Sequence, residues 1–190
     1  MTIGVLSLQG AFAEHIDALR RMNVNAMSVR LPRELEGLNG LIIPGGESTT
    51  VSKLMQTYDL IHPLRQMVRR GFPVWGTCAG MVLLGQDYSD PYLETLGVMD
   101  ITTRRNAFGR QRDSFEVNIP VPVLGKDNFH AVFIRAPIVD SKGPQVDILA
   151  TLSDSTPVAV KQGKLLACAF HPELTEDLRF HRYFLSEVVG

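Results

Sequence analysis

Cysteine is scarce in this 190-residue chain: only Cys78 and Cys168 are present. Two thiols make no disulfide framework. Neither sits in a C-x-x-C pair or at zinc spacing from a histidine, so no structural metal is expected. Long apolar runs are also lacking. The longest strictly apolar segment, Leu165 to Phe170, falls far short of the roughly 20 residues a membrane-spanning helix needs. The N-terminus has no basic stretch, and Gly4, Ser7 and Gln9 break its apolar one. Ala11-Phe12-Ala13 imitates a signal-cleavage site without the upstream context. A soluble cytoplasmic protein is expected. Charge of one sign is lacking too. Nineteen Lys and Arg against 20 Asp and Glu leave a net charge of −1. A protein devoted to nucleic acid normally has a clearly basic face.

What is present is an ordinary globular balance, 45% hydrophobic and 21% charged. That excludes disorder, collagen and coiled coil. The length fits a single domain over residues 1–190, large enough to fold without staples. Thr2 to Leu8 reads as a strand. Phe12, Ile16, Leu19 and Met22 then recur at helical spacing. Ala26 to Leu31, Leu41 to Ile43 and Phe72 to Thr77 read as further strands. A helix starts at Ser48-Thr49-Thr50, Pro63 interrupts it, and a second piece runs to Arg70 with Gly71 as its cap. Another helix runs from Ala79 to about Gln86. Apolar strands alternating with helices imply a parallel sheet covered on both faces. In the second half, Phe115-Val117-Ile119 alternates with polar residues as a half-exposed strand does. Phe129 to Ile134 and Gln145 to Leu152 look like strands. Val158 to Val160 and Leu165 to Phe170, joined through Gln162-Gly163, read as a hairpin. Thr102 to Asp113 reads as an Arg-rich loop. Asp177 to Val189 reads as a closing helix with Leu178, His181, Leu185 and Val188 on one face.

Three motifs carry chemistry. Gly76-Thr77-Cys78-Ala79-Gly80 falls where a strand turns into a helix, the nucleophile-elbow pattern with Cys in place of Ser. So tight a turn needs small residues two before and two after the nucleophile. It presents the sulfur at the carboxyl end of the sheet, where open α/β sheets bind ligands. The free N–H groups of the following helix favour a thiolate. His171-Pro172-Glu173 follows the last strand. In extended backbone residues i and i+2 point the same way, about 6.6 Å apart. The Glu173 carboxylate then reaches one imidazole nitrogen and leaves the other for a nucleophile. This is the base and orienter logic of a triad. Pro44-Gly45-Gly46-Glu47-Ser48 leaves a buried strand at the same edge. The Gly46 and Ala79 N–H groups are candidates for a two-donor oxyanion hole.

These residues together resemble the class I glutamine amidotransferases. Gly4 to Gly10, Pro44 to Thr50, Gly76 to Gly80, Arg105 to Gln111, Phe133 to Pro137 and Phe170 to Thr175 look, more narrowly, like the glutaminase subunits of pyridoxal 5'-phosphate synthases. The likeness runs over essentially the whole chain, and no triad position departs from it. It implies a three-layer α/β/α sandwich with a mainly parallel, flavodoxin-like sheet. It implies hydrolysis of L-glutamine to glutamate and ammonia by a Cys78–His171–Glu173 triad, without a cofactor. Glutamine would be held by Gly46, Glu47, Ser48, Arg105, Ile134 and Arg135. Chemically an Arg suits the α-carboxylate and Glu47 the α-ammonium; which Arg does so stays open. The ammonia would pass to a separate barrel subunit within a large hetero-oligomer, since this chain has no length left for that barrel. Low activity alone is also implied. Separately, because an efficient free glutaminase would waste glutamine and leak ammonia, the Gly45-Gly46 hinge is a candidate for leaving the oxyanion hole unformed until the partner docks.

Other residues read as structural. Arg104, Arg105, Arg110 and Arg112 would form a solvated loop but for the resemblance, which singles out Arg105; Arg110 is a candidate for the partner interface. Cys168 reads as core. His15, His62, His130 and His181 lack a ligand-type partner and read as surface or packing residues. Two alternatives to ammonia supply for pyridoxal phosphate remain: delivery to another synthase, such as one closing an imidazole ring, and a scaffold without catalysis.

Overall fold

In the computed structural model, which describes residues 1–86, 92–105, 107 and 114–190, the first half of the chain alternates strands and helices. The order is β1 (Thr2–Leu6), α1 (Phe12–Arg21), β2 (Asn25–Val29), β3 (Gly40–Ile43), α2 (Ser48–Thr57), α3 (Ile61–Arg69), β4 (Val74–Thr77) and α4 (Ala79–Leu84). Then come β5 (Ile101–Arg104), β6 (Ser114–Ile119), β7 (Phe129–Ile134), β8 (Ile138–Lys142), β9 (Asp147–Thr151), β10 (Pro157–Gln162) and β11 (Leu165–Cys168). Helix α5 (Arg179–Tyr183) continues into a π-helical stretch, Phe184–Val189.

Seven strands form the central sheet in the order β2-β1-β3-β4-β11-β10-β9. β2, β1, β3, β4 and β11 pair in parallel, and β10 and β9 extend the sheet antiparallel. Every residue of β3, β4 and β11 is buried, as strands covered on both faces must be. Trp75 and Gly76 point to opposite faces of β4. Trp75 packs among His15 of α1 and Phe180, His181 and Phe184 of the C-terminal helix. Gly76 faces α4, where a Cβ would come 2.4 Å from the Gly80 carbonyl carbon. The sandwich thus has α1 and α5 on one side and α4 on the other. The pair β5–β8 and the hairpin β6–β7 form separate two-stranded antiparallel sheets. Among the described residues, no helix is long and apolar enough to cross a membrane.

Several boundaries differ from the sequence expectation. Pro63 does not break the second helix. It sits in the first turn of α3, where the missing N–H costs nothing. The break lies earlier, at Asp59, which takes a left-handed φ of 55°. Thr102 to Arg104, expected in a loop, belong to β5, which pairs with β8. β8 itself, Ile138–Lys142, was not expected, because a Pro precedes it and only its first two residues are buried. The closing helix is α-helical only to Tyr183 and widens to π thereafter. Asn106 and Phe108 to Asp113, with Arg110 and Arg112, lie outside the described residues.

Candidate active site

Cys78 links β4 to α4 with φ 48° and ψ −105°, a conformation that L-residues disfavour. Its neighbours make the strain tenable. The Cys78 N–H donates to the Cys168 carbonyl at 2.8 Å, anchoring the elbow to β11. A Cβ at Gly80 would come 2.0 Å from the Ile43 carbonyl oxygen. The two flanking glycines are therefore required by the packing of α4 on β3 and β4. Cys78 is 6% exposed, at the carboxyl edge of the parallel strands.

His171 follows β11 and is tied to β7 by its N–H, which donates to the Val132 carbonyl at 2.9 Å. Its Nδ1 lies 2.7 Å from Glu173 Oε1, and both side chains are nearly inaccessible. The sequence expectation placed this pair in extended backbone. Instead Pro172–Leu174 forms a 3-10 turn, which brings Glu173 back under the imidazole. Cys78 stands beside the imidazole in the same cleft, its Sγ 3.9 Å from the Ile134 carbonyl. Burial disfavours a charged His171, but the neighbouring Cys78 and the hydrogen-bonded Glu173 outweigh it and raise the imidazole to about 10.

The Gly45-Gly46 loop abuts this pair. A Cβ on Gly45 would come 2.3 Å from His171 Cε1, so only glycine fits. The Gly45 N–H donates to Thr77 Oγ1 at 3.0 Å, and its carbonyl accepts from the Ala11 N–H at 2.9 Å. In a planar trans peptide the Gly46 N–H then points to the side opposite Ala11.

Gly46, Glu47, Ser48, Cys78, Ala79, Arg105, Ile134, Arg135 and His171 line one cleft of about 390 Å³. All residues singled out in the sequence thus converge except Glu173, which lies behind His171. Gln9, Gly10 and Leu174 join them. Glu47 already has work here. Its carboxylate caps α2, accepting from the Thr49 and Thr50 N–H groups at 3.0 and 2.7 Å. Desolvation opposes its charge, yet the bonds from Thr50 and Thr49 hold it at about 2. Arg105 reaches Ser48 and Thr49 hydroxyls at 3.4 and 3.2 Å. Arg135 takes a left-handed φ of 43° at the rim. A larger hollow, about 780 Å³, opens at the opposite edge of the sheet beside Arg65, Gly97 and Lys164 and contains none of the triad.

Two histidines depart from the sequence reading. His15 and His181 are both completely buried, with His15 Nδ1 3.0 Å from His181 Nε2. His15 Nε2 lies 3.2 Å from Thr77 Oγ1 and 3.3 Å from Glu173 Oε2. His15 is therefore no mere packing residue: it touches Glu173 behind His171. The signal was there, since His15 lies three residues after Phe12 and four before Leu19, on the apolar stripe of α1. His62 and His130 are on the surface, paired with Gln66 and with Glu116 and Asn118. Cys168 is core, with no exposure.

Comparison with known proteins shows the family and the fold. The sequence profile of the SNO glutamine amidotransferase family matches residues 5–190. The chain is 57% identical to the pyridoxal 5'-phosphate synthase subunit PdxT of Herpetosiphon aurantiacus over 189 residues, covering 98% of this chain and all of that one. It is 54% identical to PdxT of Moorella thermoacetica over 188 residues, covering 99% of this chain and all of that one. A crystal structure of a glutamine amidotransferase superposes with a TM-score of 0.93 at 49% identity, over 99% of this chain and 98% of that one. PurLQS from Thermotoga maritima, at 13% identity and a TM-score of 0.67 over 97% and 96% of the two chains, shares the fold. With an elbow cysteine, a His–Glu pair and a glycine loop around one cleft, and a family profile matching nearly the whole length, the chain belongs to the SNO glutamine amidotransferase family.

Proposed function

We propose that this chain hydrolyses the side-chain amide of L-glutamine through Cys78 and supplies the ammonia to a separate pyridoxal 5'-phosphate synthase subunit. The observation that carries the chemistry is the contact chain Cys78–His171–Glu173 at the floor of the cleft. The destination of the ammonia rests on the PdxT relatives.

Cys78 Sγ attacks the amide carbon, and the carbonyl electrons move onto oxygen. The Gly46 and Ala79 N–H groups receive that oxyanion; one such donor is worth about 3–4 kcal/mol in comparable sites. His171, whose protonated form Cys78 and Glu173 favour, donates its proton to the departing nitrogen. Ammonia leaves and a thioester remains. Forming the thioester removes the Cys78 negative charge, one of the causes that raise His171. The imidazole thereby becomes a better base, takes a proton from water and directs it at the thioester. The C–S bond breaks and glutamate departs. Glu173 holds the imidazole through Nδ1 in both halves. Glu47, Ser48, Arg105, Ile134 and Arg135 hold the amino-acid end of glutamine, an Arg meeting the carboxylate. The synthase partner is a barrel acting in trans on the cleft face, in a hetero-oligomer with this single glutaminase domain.

The test is glutamate formation from glutamine by the purified chain, alone and with a pyridoxal 5'-phosphate synthase subunit, with Cys78→Ala as control. Activation by that subunit, lost in the variant, is expected. Activity in Cys78→Ala would overturn the mechanism. Activity indifferent to the subunit would overturn the partner.

A further inference from the structure

Behind the triad lies a second line of buried polar groups that the hydrolysis above does not use. His181 sits on α5, His15 on α1, Thr77 at the end of β4 and Glu173 in the turn after His171. Glu173 Oε2 makes no full hydrogen bond with any described residue, and His15 Nε2 stands 3.3 Å from it. Oε1 of the same carboxylate holds His171 at 2.7 Å. A buried carboxylate oxygen with no donor is costly. The one nitrogen facing it is therefore most stable with its proton on it.

The partners fix the tautomers. If His15 carries its proton on Nε2, that N–H faces Glu173 Oε2 and Thr77 Oγ1, and Nδ1 accepts from the His181 Nε2–H at 3.0 Å. His181 Nδ1, which has no partner, is then a bare acceptor rather than a stranded donor. In the opposite arrangement His15 Nε2 would accept from the Thr77 hydroxyl, leaving Glu173 Oε2 facing a lone pair and the His181 Nδ1–H a stranded donor in a dry interior. Burial first, and then the neighbouring His181 and His171, hold His15 well below the ordinary histidine range, so it is neutral and carries one N–H. Burial likewise lowers His181 to about 3, with Arg21 adding to it.

We propose that His15 is a positioning residue of the glutaminase. Its Nε2–H, backed by His181, holds the Glu173 carboxylate so that Oε1 meets His171. The inference rests on the glutaminase reading for its kinetic consequence, while the geometry is independent of it. Through Thr77, which accepts the Gly45 N–H, the same histidine also touches the support of the Gly45-Gly46 loop. His15 follows the Gln9–Ala11 loop that binds the Gly45 carbonyl. Helix α1 thus joins the orienting carboxylate to the proposed oxyanion loop.

The experiment compares His15→Gln, His15→Asn and His15→Leu with the native chain. A Gln amide can put N–H near the Nε2 position. An Asn amide is too short to reach Glu173, and Leu has no donor. Two readouts are taken, each on folded protein checked by thermal unfolding. One is the rate of Cys78 alkylation by iodoacetamide against pH, with Cys78→Ala as blank. The groups facing His171 in that profile are Cys78, Glu173 and His15. The other is kcat and KM for glutamine with the synthase subunit present. In Asn and Leu variants, alkylation at neutral pH slows about tenfold and its rise moves to higher pH, and kcat falls about tenfold at little-changed KM. Gln restores both to within about threefold. If Leu does not fold, the Asn and Gln pair carries the comparison. Native behaviour in a folded Asn or Leu variant, or Gln as impaired as Asn at equal thermal stability, would overturn the proposal. Alkylation behaving as expected without any glutamine turnover by the native complex would support His15 and count against the glutaminase reading.

Discussion

The carbonyl of Gly45 accepts a hydrogen bond from the Ala11 N–H at 2.9 Å, so the loop after β3 is clamped by the loop after β1. Two neighbouring parallel strands thereby set the direction of one peptide beside the nucleophile. Gly10 makes the clamp sterically feasible. It has φ 104°, and a Cβ there would come 1.9 Å from the Gly45 oxygen.

Gly10→Ala is therefore expected to push the Gly45-Gly46 peptide out of place. Glutamate formation with the synthase subunit should fall by about 10²-fold, the effect of losing one oxyanion donor. Thermal unfolding should move by only a few degrees, because Gly10 is exposed and the displacement is confined to the two loops. Unchanged activity would detach this clamp from catalysis.

Glu173→Gln keeps the nucleophile and removes the charge that supports His171. The expected result is a loss of roughly 10²–10⁴ in kcat with KM nearly constant. Cys78→Ala should leave no measurable turnover. Rapid-quench detection of the acyl-enzyme separates the two: a slow thioester in Glu173→Gln, none in Cys78→Ala.

Acid should destabilise the fold through His15 and His181. Both are buried and neutral, with native pKa values depressed below 6.5. Below about pH 6.5 the unfolded chain takes up protons that the native one refuses. Their contribution is thus fully present above that pH and declines as pH falls toward 3, whereas that of His171, raised to about 10, is fully present below pH 6.5 and is lost as pH rises toward 10. Two such protons give a slope of about 3 kcal/mol per pH unit at the steepest. The facing groups are Glu173, His171, Thr77, Trp75 and Arg21. Denaturant melts at pH 7.5, 6 and 5 check this, and His15→Gln should flatten the slope by about half.

Glu47→Ala removes the cap of α2. Loss of a capping side chain costs about 1 kcal/mol, or about 2–4 °C for a chain of this size. Because the native carboxyl is held at about 2 against an ordinary 4.5, its contribution is present above pH 4.5 and lost as pH falls toward 2. Calorimetry at pH 7 and pH 3 should show a smaller difference between native and variant at the lower pH. A rise in KM for glutamine in the same variant supports its place in the substrate site.

The local sequence determined a good deal. The alternation of short apolar strands with helices was enough for a parallel sandwich, because strands buried on both faces must be apolar throughout. Gly76, Cys78 and Gly80 announced the elbow, since a turn of that tightness excludes side chains on either side. His171-Pro172-Glu173 announced a base and its orienter, though the backbone that joins them is a 3-10 turn and not extended chain. Tertiary structure decided what local pattern could not. It placed β11 beside β4, so that residues far apart in sequence share one edge. It turned part of the Arg-rich segment into β5 by giving Ile101–Arg104 a partner in β8, a pairing no local pattern predicts. Above all, it brought His15, His181 and Glu173 together from opposite ends of the chain. A histidine on an apolar stripe reads the same from sequence whether it meets leucine or a buried carboxylate, and only the packing of α1 and α5 over β4 supplies the difference.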